Sequence, residues 1–169
     1  MIFHSNYLAA EDTFGSGGPT RRLRRRSRAP DRTRAIARGD VEDFLAREDI
    51  ELRIKVLARM LYETAAHASE VLALDVGDLD LRNRCAKIRR KGNAIDVIVW
   101  RTGTARLLPR LIGGRTRGPL FLTDRQARVQ LAAADLDPAT GRARLSYRRA
   151  AELFTTATVT CPGAPWTLH

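Results

Sequence analysis

The sequence predicts a mixed fold that is mainly α-helical and carries one small antiparallel β-hairpin or sheet. Residues 40–74 place apolar side chains at helical spacing, residues 85–100 switch to a period of two, and residues 146–156 return to a helical pattern. A length of 169 residues with 44% hydrophobic content suits one domain with a modest core. We place that domain at residues 35–169 and treat residues 1–34 separately.

Two helices and a short third one are predicted before the hairpin. Asp40 is a plausible N-cap, and Asp43 stands at the capping-box position. The second helix extends from Ile50 to Ala66 and has apolar residues at the i, i+3 and i+4 spacing of a core-facing helix. Ser69 is then predicted to cap a short helix over residues 70–74, which an acidic turn ends.

The period-two segment predicts two strands, Cys85 to Arg90 and Ile95 to Trp100. They are joined by Lys91-Gly92-Asn93-Ala94, in which Gly92 and Asn93 can take the positive φ that tight hairpin turns need. The sequence therefore predicts a β-hairpin that presents Lys91 at its tip.

The remainder of the chain predicts helices at 102–108 and 146–156, with little between them. Pro109 is expected to disturb the first of these helices, and residues 113–119 form a basic loop. Residues 124–145 are rich in Arg and Ala without a clear period, so no element is predicted there. In the last helix, Tyr147, Ala150 and Phe154 fall on one face.

Residues 1–34 are predicted to be a disordered leader and basic arm. A Gly-rich stretch is followed by a run of arginines, and such a composition cannot bury a core. The arm could lie along phosphates, or it could be a solvated tail. The arginines that we expect to contact DNA in this arm are Arg21, Arg22, Arg24, Arg25 and Arg26.

The charge balance favours a polyanionic partner. Thirty Lys and Arg against nineteen Asp and Glu give a net charge of +11, and nucleic acid is the commonest such partner, although Arg-richness can equally reflect genome composition. Cys85 and Cys161 form no CxxC or His-Cys cluster, so neither a zinc site nor a disulfide is indicated, and we expect no metal or cofactor. Without a membrane-length apolar run or a signal peptide, we expect a cytoplasmic protein, whose self-association the sequence leaves open.

The order of motifs resembles the catalytic domain of tyrosine recombinases, the phage integrase family. The segment Glu63-Thr64-Ala65-Ala66-His67-Ala68-Ser69-Glu70-Val71-Leu72 precedes an acidic turn and a hairpin with Arg90-Lys91-Gly92-Asn93, and Lys91 follows His67 by 24 positions. The final Trp166-Thr167-Leu168-His169 resembles the start of the family's H-x-x-R motif. The resemblance extends over residues 31–169 and implies a partial tyrosine-recombinase catalytic-domain fold.

The resemblance implies metal-free phosphoryl transfer, in which a tyrosine attacks a DNA phosphate during site-specific recombination and integration. Charge that builds on the phosphate oxygens is stabilised by two arginines, and a lysine or histidine protonates the leaving oxygen. Lys91 matches the general acid, His169 matches the histidine of the second motif, and Glu70 resembles the supporting carboxylate. Arg89 and Arg90 on the hairpin are expected to contact DNA.

Two departures from the family pattern predict lost activity. His67 stands where the family has its first arginine, and an imidazole lacks the bidentate fork of a guanidinium. The second arginine and the tyrosine nucleophile would follow His169. We therefore expect a catalytically inactive remnant with residual DNA binding. A recombinase completed by a downstream reading frame and a non-catalytic DNA- or RNA-binding module are the alternatives.

Overall fold

A computed structural model of the protein describes residues 36–90 and 92–168. In chain order, the helices and strands are α1 (Arg38–Ala46), α2 (Leu52–Thr64), α3 (Ala68–Leu72), β1 (Leu79–Asp80), β2 (Cys85–Arg89), β3 (Ile95–Val99), α4 (Thr102–Ile112), β4 (Leu122–Gln126), β5 (Arg142–Arg144) and α5 (Tyr147–Thr158). The strands form two antiparallel sheets, β1-β2-β3 and β4-β5. The predicted mixed fold, mainly α-helical with small antiparallel sheets, is confirmed.

Helix α2 lies at the centre of the core. Its Val56, Leu57 and Met60 are completely buried, because the i, i+1, i+4 spacing places them on one side of the helix. The segment that ends the described chain closes one side of this core, where the Trp166 ring lies 5.5 Å from that of Phe44. Burying one such large apolar side chain contributes about 1.5–3 kcal/mol. In the described residues, no helix is long and apolar enough to cross a membrane.

The starts of α1 and α3 differ from the prediction. Helix α1 begins at Arg38, so Asp40 lies inside its first turn and does not cap it. Helix α3 begins at Ala68, and its N-cap residue is His67, not Ser69. The reason at α3 is a hydrogen bond of 3.0 Å from the backbone N–H of His67 to Glu70 Oε2, which starts the helix two residues before the predicted position.

The hairpin is confirmed in its position and its turn. β2 pairs with β3 in the register Cys85↔Val99 to Arg89↔Ile95. Gly92 and Asn93 have φ values of 86° and 63°, and the backbone N–H of Asn93 donates to the carbonyl of Arg90 at 3.1 Å. The predicted turn chemistry therefore produces the predicted loop.

Three elements after the hairpin, helix α4 and strands β4 and β5, differ from the prediction. Helix α4 continues through Pro109 to Ile112, because the buried Leu108 and Ile112 hold its last turns against the core. Strands β4 and β5 form a two-stranded sheet within residues 122–144, where no period was apparent. Its register is irregular between Leu122 and Gln126, which explains the weak alternation of the sequence.

Candidate nucleic-acid interface

His67 and Glu70 lie together at the start of α3. His67 is exposed. Glu70 is half-buried, and its carboxylate accepts a hydrogen bond from the backbone N–H of His67. The carboxylate of Glu70 thus fixes the backbone from which the imidazole projects. The structure brings these two predicted site residues together, and it gives Glu70 a backbone-positioning contact.

The other end of α3 is anchored by Arg144 of β5. Its Nη1 donates to the carbonyl oxygens of Ala73 at 2.9 Å and of Leu74 at 3.2 Å, where the last carbonyls of a helix lack partners within the helix. The same guanidinium pairs with Asp75 at 2.7 Å and Asp135 at 2.9 Å. Burial opposes its charged form, but the hydrogen bonds to the two carboxylates prevail and raise the pKa of Arg144.

The two predicted hairpin arginines differ in availability. Arg90 forms an ion pair of 2.7 Å with Asp96, so its charge is already compensated. Arg89 is exposed and donates from Nη1 to the amide oxygen of Asn93 at 3.3 Å. Within residues 36–90 and 92–168, no carboxylate pairs with Arg89. Arg89 is therefore the better candidate for a phosphate contact.

Lys87 is a further exposed cation that the sequence analysis missed. It lies on β2 two residues before Arg89, so both side chains are on the same face of the sheet. No ion pair of Lys87 is found in the part of the chain that the structure describes. The alternation of Lys87, Ile88 and Arg89 is the signal that could have identified it.

The remaining predicted site residues lie outside the described residues. These are Lys91, His169 and the five arginines of the arm, Arg21, Arg22, Arg24, Arg25 and Arg26. Their roles stay predictions. The described neighbours of Lys91 are Arg90 and Gly92, which belong to the confirmed hairpin turn.

Several arginines support the fold and contribute little to a binding surface. Arg53 is 5% exposed, donates to the carbonyl of Leu122 at 2.8 Å and pairs with Asp124 at 2.7 Å. Arg115 donates to the carbonyl oxygens of Leu111 and Ile112 at the end of α4 and to that of Pro119, and burial lowers its pKa. The net charge of the chain therefore overstates the number of cations available to a polyanion.

The two described tyrosines, Tyr62 and Tyr147, lie on helices α2 and α5. Tyr147 donates its hydroxyl to the carbonyl of Leu168 at 2.7 Å, and this bond ties the start of α5 to the end of the described chain. Tyr62 is half-buried and packs against the core from α2. The third tyrosine, Tyr7, lies outside the described residues.

The helix and the hairpin occur in the order that the motifs predict, and strand β1 occupies Leu79–Asp80 of the predicted acidic turn. The sequence profile of the phage integrase family matches residues 36–154. The chain belongs to the phage integrase family. The match includes His67, Glu70 and the whole hairpin, which are the parts of this integrase-family chain that make up the candidate interface.

Solved structures have the same fold. A structure described as "Crystal structure of XerA recombinase" aligns with a TM-score of 0.57 and 10% identity over 79% of this chain and 45% of that chain. A structure described as "Integrase from mycobacterium phage Brujita" aligns with a TM-score of 0.53 and 18% identity over 82% of this chain and 42% of that chain. The integrase-family chain thus spans less than half the length of either structure. No curated protein matches it.

Proposed function

We propose that this chain acts in site-specific DNA recombination and integration by binding the DNA backbone, and that its 169 residues do not cut DNA by themselves. The observation that carries the proposal is the pair of exposed cations on the confirmed hairpin, Lys87 and Arg89, within a chain of the integrase family. Cations without a carboxylate partner gain most from phosphate, because binding releases the counterions that DNA holds.

The proposed loss of cleavage follows from the residues that are present. His67 stands where the family motif has an arginine, and removing one preorganised donor costs about a hundred- to a thousandfold in rate. Covalent chemistry also needs a nucleophile at the phosphate. The hydroxyl of Tyr147 donates a hydrogen bond to the carbonyl of Leu168, and Tyr62 packs against the core, so we expect neither to act as the nucleophile.

DNA binding is tested by fluorescence anisotropy with a labelled duplex over a range of salt concentrations. We expect the affinity to fall as salt rises, and we expect Arg89→Ala and Lys91→Ala each to reduce the slope by about one phosphate contact. Arg148→Ala is the matched control, because Arg148 is an exposed arginine that already pairs with Glu152. Salt-independent binding, or equal effects of Arg89→Ala and Arg148→Ala, would contradict the proposed site.

Cleavage is tested with a nicked half-site substrate, by searching for a protein–DNA adduct that survives denaturation. We expect no adduct from the 169-residue protein. An adduct that disappears when one of Tyr7, Tyr62 or Tyr147 is changed to Phe would overturn this part of the proposal and identify the nucleophile.

A further inference from the structure

The hairpin has an outer face that the core does not cover. We define this outer face by the three cross-strand pairs whose side chains point away from the core: Cys85 with Val99, Lys87 with Val97, and Arg89 with Ile95. The opposite face carries Ala86, Ile88 and Ile98, which are buried. The alternation of the strands therefore separates one covered side from one side that faces solvent.

The β3 half of the outer face is an apolar row. Ile95, Val97 and Val99 are 70%, 52% and 60% exposed, and they follow each other along one strand. Soluble proteins expose single apolar residues routinely, but contiguous exposed patches mark interaction sites. β3 is also an edge strand of the described sheet, so no strand pairs with it on the side away from β2.

The β2 half of the outer face is cationic. Lys87 and Arg89 stand directly opposite Val97 and Ile95. Asp80 of β1 lies opposite Cys85 of β2. Its carboxylate already accepts the backbone N–H of Asn83, and this hydrogen bond lowers the pKa of Asp80. The outer face thus combines an apolar row with a row of cations that lack carboxylate partners in the described structure.

At the middle of the free edge of β3, one backbone donor already has a partner. In an antiparallel pair the backbone N–H groups of a strand point alternately toward and away from the neighbouring strand, and the hydrogen bonds at both ends of the β2–β3 pair show that the N–H of Val97 points away from β2. That N–H donates to Asp96 Oδ1 at 2.7 Å, and Asp96 also pairs with Arg90. A partner would therefore contact side chains of the outer face more readily than extend the sheet.

We propose that the outer face binds an extended acidic segment of another protein, in which apolar residues alternate with Asp or Glu. The apolar side chains would cover Ile95, Val97 and Val99, and the carboxylates would pair with Lys87 and Arg89. If the hairpin binds DNA, as the proposed function states, such a segment would compete with DNA for Lys87 and Arg89. It would therefore regulate access of DNA to the hairpin.

Other occupants fit this surface less well. A second copy packed on the same face would bring the Lys87 and Arg89 cations of the two copies together, and such like-charge contacts are unfavourable. A DNA backbone would pair with the cations, but it would offer little apolar surface to the three side chains of β3.

The test uses the 169-residue protein and a fluorescein-labelled peptide of alternating Glu and Val, with anisotropy as the readout. We expect binding, and we expect the triple variant Ile95→Thr, Val97→Thr and Val99→Thr to weaken it by about tenfold or more. Threonine keeps the β-branched shape that strands favour while removing apolar surface. Val129→Thr is the matched control, because Val129 is exposed outside the helices and strands and its replacement leaves the affinity unchanged.

Several results would overturn the proposal. These are equal binding of a polyglutamate peptide, an unchanged affinity in the triple variant, or an equal loss of duplex DNA binding in that variant. Self-association that sedimentation detects in the native chain and not in the triple variant would assign the face to a second copy instead. Absence of DNA binding with intact peptide binding would refute only the proposed function.

Discussion

Replacing Arg144 with Met removes the anchor that holds the end of α3 to β5. Met preserves much of the length and apolar contact of the side chain but deletes the donors to the carbonyls of Ala73 and Leu74 and the pairs with Asp75 and Asp135. The perturbation is local, yet α3 is the helix whose N-cap residue is His67. Its consequence is therefore relevant both to stability and to the candidate site.

The magnitude follows from which partners can return to water. Hydrogen bonds to a charged group contribute about 1.5–3 kcal/mol each, but partners that water can reach recover part of that value. The side chains of Asp75 and Asp135 are about half exposed, so their loss costs little. Ala73 is exposed, and the carbonyl of Leu74 keeps its hydrogen bond from the backbone N–H of Leu120, so we expect Arg144→Met to lower the free energy of unfolding by about 1–2 kcal/mol.

Urea denaturation followed by circular dichroism measures this change, and amide hydrogen exchange locates it. We expect a lower midpoint with an unchanged slope, faster exchange in α3, and partial recovery in Arg144→Lys. Arg148→Met is the control, because Arg148 is 91% exposed and its loss leaves the midpoint unchanged. A decrease below about 1 kcal/mol, or exchange in α3 that does not change, would refute the reasoning.

Three further perturbations test other parts of the structure. Gly103→Ala places a Cβ against the guanidinium and Cδ of Arg59 and 2.6 Å from Oε1 of Glu63, whose other carboxylate oxygen accepts the backbone N–H of Arg101 at the start of α4. Both side chains must shift, and we expect about 1–2 kcal/mol of destabilisation by urea titration; Gly77→Ala, which meets no atom within 4 Å, is the control. The hydrogen bond from Arg53 holds the pKa of Asp124 below its ordinary value of 3.8. The ionised carboxylate therefore stabilises the fold above about pH 4, and this contribution is lost as the pH falls through the lowered pKa. We expect Asp124→Asn to make the free energy of unfolding less sensitive to acid, and an unchanged pH profile of that free energy would contradict the assignment. His67→Arg restores the guanidinium fork of the family motif, and we expect it to raise DNA affinity in anisotropy measurements more than Ser69→Arg, which adds the same charge two residues further along the chain. Equal gains would exclude a specific phosphate site at residue 67.

Local patterns in the sequence were sufficient for the elements whose signals are short-range. The hairpin could be predicted because Gly92 and Asn93 supply the turn and the flanking residues alternate with period two. The core-facing side of α2 could be predicted because Val56, Leu57 and Met60 follow the helical spacing. The strands β4 and β5 could not, because their irregular pairing leaves no clear alternation to detect.

The candidate site divides in the same way. The motif residues His67 and Glu70 and the hairpin residue Arg89 could be identified along the chain, whereas Lys87 was not, and the family membership that the motifs implied is confirmed. The hydrogen bond between the Glu70 carboxylate and the backbone N–H of His67 was not expected. A carboxylate that caps its own helix is less free to act as the supporting carboxylate that the resemblance implies.

The sequence by itself determined the family, the helices from α1 to α3, and the hairpin that carries the cations. Only the tertiary structure decided which cations are available, because an arginine is compensated by partners that are distant in the chain. Arg53 meets Asp124, Arg144 meets Asp75, and both are committed to the fold. Lys87 and Arg89 meet no carboxylate among the described residues, and so the surface that can bind a polyanion is much smaller than the charge of +11 suggests.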